Sequence, residues 1–191
     1  MSVLDKIIDL DQSLLIYLNN LGSPFWDGFW IAITRQYHWI PLFILMLFLI
    51  FRAYGLKKGL IILGFAALLV AFTDQFINLV KHVFERLRPN NDPSINGLIR
   101  VLQQPHSFSF VSGHATNSMA SSVFVYLLLK KQFNYTWLFF IWPLVFAYSR
   151  IYLGVHYPLD VLVGAFLGMG LGFGFYKVTL FVLTKIAIPK K

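Results

Sequence analysis

The chain has 191 residues, 58% of them hydrophobic, 18% aromatic and 13% charged, with 16 Lys and Arg against 8 Asp and Glu for a net charge of +8. Its mean hydropathy is +0.67, and a soluble domain carries about 25% charged residues, so the composition argues against a water-soluble fold and more firmly against disorder. No cysteine is present, which removes disulfides, thiolate zinc sites, iron–sulfur clusters and a cysteine nucleophile.

Residues 1–21 intersperse Asp5, Asp9 and Asp11 with Leu4, Ile7, Ile8, Leu10, Leu14 and Leu15. That is the amphipathic pattern of a helix lying on a membrane surface. The stretch lacks a basic start, a clean apolar core and a small-residue cleavage site, so no cleavable signal peptide is expected. Gly22-Ser23-Pro24 breaks the pattern. The short apolar run 25–34 predicts the start of a bent or re-entrant span continuing into 39–51. A membrane helix needs about 20 mostly apolar residues, and five segments approach this: 39–51, 60–83, 108–129, 136–148 and 159–186. The predicted fold is an all-α integral membrane bundle of about six transmembrane helices, with an N-terminal helix at the interface. It forms a single domain over 1–191. One long polar segment, 85–107, separates the second and third spans, and long loops of this kind tend to be functional.

Charge sets the expected orientation. Arg52, Lys57 and Lys58, then Lys130 and Lys131, then Lys185, Lys190 and Lys191 all fall on one face when the spans are counted. The positive-inside rule puts these groups in the cytoplasm, so the basic excess marks membrane topology and no nucleic-acid partner is expected. Segment 85–107 and the turn 150–158 then face outward, towards periplasm or exterior if the membrane is a bacterial plasma membrane.

Ionisable residues next to membrane spans are costly and need a reason. They cluster in three places. Asp74, Asn78, Lys81, Glu85 and Arg88 are spaced 4, 3, 4 and 3 apart, one stripe of a helix that Pro89 would end. The plain alternative for this stripe is a snorkelling basic helix end. Ser112-Gly113-His114 opens the third span: Ser is a strong N-cap, Gly admits close backbone approach, and free N–H groups at a helix start bind anions. An ordinary cap beside a satisfied histidine is the simpler account of the tripeptide alone. Ser149-Arg150, His156 and Asp160 surround Pro158, which suits a first helical turn. Asp160 follows His156 by four residues, close enough to fix the imidazole tautomer; a structural His–Asp pair would read the same way. Together, three cations, an anion-binding helix start and two histidines on one face suit a compact anion such as phosphate, with Arg offering bidentate contacts and Lys a point charge. No Asp/Glu cluster offers a hard cation site, so fixed cations would stabilise transition-state charge in place of a metal.

The joint pattern resembles the type 2 phosphatidic acid phosphatase superfamily, which includes the vanadium haloperoxidases. The family motifs are K-x6-R-P, P-S-G-H and S-R-x5-H-x3-D; this chain has Lys81 to Arg88-Pro89, Val111-Ser112-Gly113-His114, and Ser149-Arg150 to His156 to Asp160. Order and spacing match over residues 81–160, and Val111 stands where the family has proline. The resemblance implies that His156 is the nucleophile forming a phosphohistidine and that Asp160 orients it. It implies that His114 is the acid for the leaving oxygen and then the base for water. Lys81, Arg88, Ser112, Gly113 and Arg150 would bind the phosphate, with no metal and no cofactor. Read without the family, the residues leave open which histidine attacks, although the His156–Asp160 spacing favours His156.

The expected function is hydrolysis of a lipid phosphate in the bacterial plasma membrane. Undecaprenyl diphosphate is the first choice of substrate; phosphatidylglycerophosphate, phosphatidic acid and lipid A are the alternatives. A non-catalytic receptor or transporter for a phosphorylated lipid would need the cations but not both histidines with Asp160. A bis-histidine haem protein would not need the cations, and a haloperoxidase would not need the apolar spans. His38 and His82 suit the membrane interface, His106 a loop, and Asp74 a structural role in the bundle. Gly164, Gly168, Gly170, Gly172 and Gly174 suit close helix packing.

Overall fold

The computed structural model describes residues 2–185; Lys190, Lys191 and the last residue of the expected fifth span lie outside them. Among the described residues the fold is all helix, with six α-helices. Helix α1 covers Val3–Asn20, α2 Pro24–Ile33, α3 Ile40–Phe84, α4 Gly113–Leu129, α5 Ile141–Tyr152 and α6 Pro158–Lys185. By length and composition α3 and α6 can each cross a membrane.

Helix α3 is two limbs rather than one rod. Gly55 breaks it with φ 71° and ψ 175°, a left-handed conformation that glycine adopts without steric cost. Phe51 closes against Gly59 across the break, and Phe43 and Met46 of the first limb share a cavity wall with Val70 and Asp74 of the second. The limbs therefore run antiparallel, matching the two expected spans 39–51 and 60–83. The short run 25–34 forms a separate helix: α2 stops at Ile33, and a 3₁₀ turn over Gln36–Trp39 leads into α3.

The core is apolar and aromatic. Met46, Ile50, Ile62, Leu69, Phe124, Leu128, Phe139, Trp142 and Phe146 form one buried cluster joining α3, α4 and α5. Helix α6 packs on α4 backbone to backbone. A Cβ on Gly164 would stand 2.9 Å from the Ser112 carbonyl oxygen, and one on Gly168 or Gly172 would stand 2.4 Å from the Thr116 or Ala120 carbonyl oxygen. Gly170 and Gly174 have nothing within 4 Å, so only three of the five glycines serve the close packing.

Helix α1 begins with a capping box, Ser2 accepting from the Asp5 N–H and Asp5 from the Ser2 N–H. Its buried residues are Asp11, Leu15 and Asn19, while Val3, Leu4, Leu10 and Tyr17 are exposed. The face turned to the bundle thus carries two polar anchors, and apolar side chains point away. Asn19 donates to the Ile151 and Tyr152 carbonyls and accepts the Arg100 N–H at 2.6 Å, which satisfies the end of α5 and pins the long loop to α1.

Candidate active site

The site forms where α3 and α5 end and α4 and α6 begin. Helix α5 stops at Tyr152, and Gly154 turns the chain with φ 71°. A Cβ there would stand 2.7 Å from the Arg100 carbonyl oxygen, so this turn requires glycine twice over, for conformation and for space. His156 follows in the turn, and Asp160 sits in the first turn of α6. Both are buried, at 1% and 0% exposure. Asp160 Oδ2 lies 3.3 Å from His156 Nδ1; it also accepts the Tyr157 N–H at 3.0 Å and the Ser109 hydroxyl. An ionised carboxylate only accepts, so Nδ1 carries the ring proton and Nε2 keeps its lone pair. Burial pushes the His156 imidazole down to about 3; Asp160 works against that shift, and the charges of Arg88 and Arg150 add to it. The ring is therefore neutral at pH 7.

Cations surround Nε2. Arg88 Nη1 stands 3.1 Å from it. The same guanidinium donates to the Ser107 carbonyl at 2.6 Å, to Ser107 Oγ at 3.0 Å and to the Val155 carbonyl at 3.0 Å. Burial pushes Arg88 down to about 10, which leaves it cationic at neutral pH. Arg150, in the last turn of α5, donates to Thr34 Oγ1 at 2.5 Å and to Gln103 Oε1 at 3.3 Å. Lys81, near the end of α3, lies within reach of the charges of Arg88, Arg150 and Asp160.

The start of α4 completes the group. Ser112 is the N-cap by position, and its N–H donates to the Asp160 carbonyl at 3.0 Å. Its hydroxyl makes no capping bond; among the described residues neither Ser112 Oγ nor Arg150 Nε has a partner, though both are buried. No protein atom crowds Gly113, Ile77 being nearest to a built Cβ at 3.9 Å. His114 stacks on Phe146 with ring centroids 4.6 Å apart. All eight expected site residues thus gather at one end of the bundle.

One expectation is corrected. The Asp74–Arg88 stripe does not continue as helix to Pro89: α3 ends at Phe84, and Glu85 is a left-handed C-cap with φ 45°. Arg88 reaches His156 from an extended loop, and Glu85 is exposed. Ser149, beside Arg150 in the motif, turns its hydroxyl to the Phe146 carbonyl in its own helix. The N-terminal helix also reaches the site. Arg86 bridges it to the site, donating to Asp160 Oδ1 and to Asp11 Oδ2, each at 2.7 Å. Its guanidinium lies 3.8 Å over the Tyr157 ring, and Asp11 also accepts the Leu159 N–H at 2.8 Å. Arg86, Asp11, Ser109 and Thr34 were not foreseen. Arg86 stands inside the Lys81–Arg88 motif and was the one with a signal; the other three touch the site only through the tertiary fold.

Fold and side chains define a class: an all-helical membrane protein with a buried His–Asp pair set among cations at one end of its bundle. The family model described as the PAP2 superfamily matches residues 59–182, more than half of the chain, and the chain belongs to that superfamily. It is 31% identical over 197 aligned positions to a Bacteroides thetaiotaomicron protein named lipid A 4'-phosphatase, covering 99% of this chain and 87% of the relative. It is likewise 31% identical over 176 positions to a Sulfolobus acidocaldarius undecaprenyl-diphosphatase, covering 88% and 73%. The crystal structure of a transmembrane PAP2-type phosphatidylglycerolphosphate phosphatase from Bacillus subtilis shares the fold, with TM-score 0.71 and 22% identity over 97% of this chain and 90% of that one. His82 and His106 are exposed and stand outside the buried His–Asp constellation.

Proposed function

We propose that the protein is a metal-independent phosphatase that hydrolyses a phosphorylated lipid through a phosphohistidine on His156, with its site on the outer side of a bacterial plasma membrane. The observation that carries this is the setting of the His156 ring: Nδ1 lies 3.3 Å from Asp160 Oδ2, which fits an Nδ1–H held by the carboxylate, and Nε2 faces a cationic cradle. The phosphate lies among Lys81, Arg88, Arg150, Ser112 and the Gly113 N–H, where the unpartnered Ser112 hydroxyl and Arg150 Nε gain acceptors. Nε2 attacks phosphorus, the bond to the leaving oxygen breaks, and His114 gives that oxygen a proton. His114 then takes a proton from water, the resulting hydroxide attacks phosphorus, and the P–N bond breaks to release phosphate and neutral His156. Fixed cations offset the charge on the transferring group throughout.

A lipid A 4'-phosphate is the substrate we favour, because that relative matches nearly the full length of both chains. Undecaprenyl diphosphate, hydrolysed to the monophosphate, is the second reading, supported by the Sulfolobus relative. The test is phosphate release by detergent-purified protein with excess EDTA on lipid A, undecaprenyl diphosphate, phosphatidylglycerophosphate and phosphatidic acid. Turnover that persists in EDTA and disappears in His156→Ala is expected. No turnover on any lipid, with binding of one retained in His156→Ala, would replace the enzyme with a receptor or transporter.

A further inference from the structure

Asp74 is an ionisable residue that this mechanism leaves unused. It lies on α3 two turns before Lys81, about 10 Å deeper at 1.5 Å per residue, just after the apolar run 60–72, where a carboxylate calls for a function. It accepts a hydrogen bond from Asn117 Nδ2, one turn beyond His114 on α4, yet Asp74 itself stays exposed. The two residues line a cavity of about 430 Å³ whose other polar lining residues include His114, Ser118 and Ser121, with Trp142 in the wall. This volume is in the range of small-molecule sites, about 300–1,000 Å³.

Two buried polar atoms of this lining have no partner among the described residues: Asn117 Oδ1 and Trp142 Nε1. A carboxylate only accepts, so Asn117 must turn its Nδ2 to Asp74 and keep Oδ1 as the unmet acceptor. The indole N–H is an unmet donor, on a side chain only 6% exposed. Buried groups of this kind are normally paired, and here two residues of one cavity lining leave a donor and an acceptor unpaired among the described residues. Of the two site histidines, His114 lines the cavity and His156 does not. The leaving oxygen is on the His114 side, so the leaving group extends along α4 towards Asp74.

We infer that this cavity is a leaving-group subsite that takes a neutral, hydroxyl- and amide-bearing group of the sugar type and rejects an anionic one. The inference rests on the phosphatase reading above. Hydroxyls and amides satisfy Asp74, Asn117 Oδ1 and Trp142 Nε1 together. The lipid monophosphate released from a diphosphate would instead bring its charge towards the Asp74 carboxylate in a low-dielectric setting, where repulsion is strong.

The experiment compares kcat/KM on lipid A and on undecaprenyl diphosphate for the full chain in detergent, with wild type, Asp74→Asn, Asn117→Leu and Trp142→Phe. Wild type is expected to favour the sugar ester. Asp74→Asn is expected to lower kcat/KM on it about tenfold or more while raising that on the diphosphate, so the two rates move in opposite directions. Trp142→Phe keeps the ring and loses only the N–H; it is expected to lower the sugar ester selectively, and it carries the test if Asp74→Asn does not fold. Equal loss on both substrates in every folded variant, or a wild type that prefers the diphosphate, overturns the subsite. A wild type that hydrolyses neither, yet releases phosphate from phosphatidylglycerophosphate or phosphatidic acid, overturns the subsite alone; one that hydrolyses none of the four lipids overturns the phosphatase reading and the subsite with it.

Discussion

Arg86 divides one guanidinium between Asp11 and Asp160, two carboxylates whose side chains are 1% and 0% exposed. Removing it strands both, and breaking a buried pair by deleting one partner costs about 3–5 kcal/mol. Arg86→Ala should therefore lower the melting temperature in detergent and reduce kcat. Adding Asp11→Asn should recover part of the stability, because contacting residues couple by about 0.5–3 kcal/mol in a double-mutant cycle; additive losses would deny the bridge. His156 supplies a pH prediction. An unfolded imidazole titrates near 6.5, whereas burial holds the folded ring down to about 3. The unfolded chain thus binds the proton more readily. Stability is complete above about pH 6.5 and falls as pH drops towards 3, by up to about 1.4 kcal/mol per unit. Melting curves between pH 7 and 4 should show a shallower fall for His156→Gln than for wild type. At this scale the proposed catalytic set could be named from the chain, since Lys81, Arg88, Ser112, Gly113, His114, Arg150, His156 and Asp160 carry their spacing in it. Ser109 and Thr34 carry no local mark, because a single hydroxyl has no periodicity to read.

Helix ends set the geometry that those residues need. The α3 helix stops at Phe84 instead of Pro89, and the four residues gained let Arg86 point to α1 and Arg88 to His156. A continuous helix would have put Arg88 on a face fixed by the 3.6-residue period. Helices α4 and α6 bring Ser112 and Asp160 together because glycine stands at 164, 168 and 172. Gly168→Ala would place a methyl group 2.4 Å from the Thr116 carbonyl oxygen. Such overpacking costs about 1–3 kcal/mol, and the α4 start would shift away from Asp160. Gly170→Ala meets nothing within 4 Å and gains helix propensity of about 1 kcal/mol. The expected outcome is a lower melting temperature and weaker activity for the first, and an unchanged or higher melting temperature for the second. The five glycines were visible in the sequence; which three face α4 follows from the rotation of α6 about its axis, which the packing sets.

At the scale of the whole molecule, the bundle has a chemical end and a basic end. The site occupies one, while at the other Lys57 and Lys58 open the second limb of α3 after Gly55, Lys130 and Lys131 follow α4, and Lys185 ends α6. The proposed sidedness has a clean test because the chain has no cysteine. Single substitutions His106→Cys and Lys131→Cys in intact cells should label differently with a membrane-impermeant thiol reagent: the first reacts, and the second reacts only after permeabilisation. The reverse pattern would turn the site inward. By itself the sequence determined the helical membrane class, the hairpin pair of spans before the long loop and the set of residues proposed for the site, because hydropathy, charge and motif spacing are local properties written along the chain. The tertiary structure alone decided that α1 turns Asp11 inward to Arg86. It also decided that Arg88 acts from a loop, and that Asp74, Asn117 and Trp142 share one cavity beside His114. Those outcomes depend on which faces meet when separate helices pack, and residues 43 positions apart (Asp74 and Asn117) or 75 apart (Asp11 and Arg86) carry no mark of that meeting in their order.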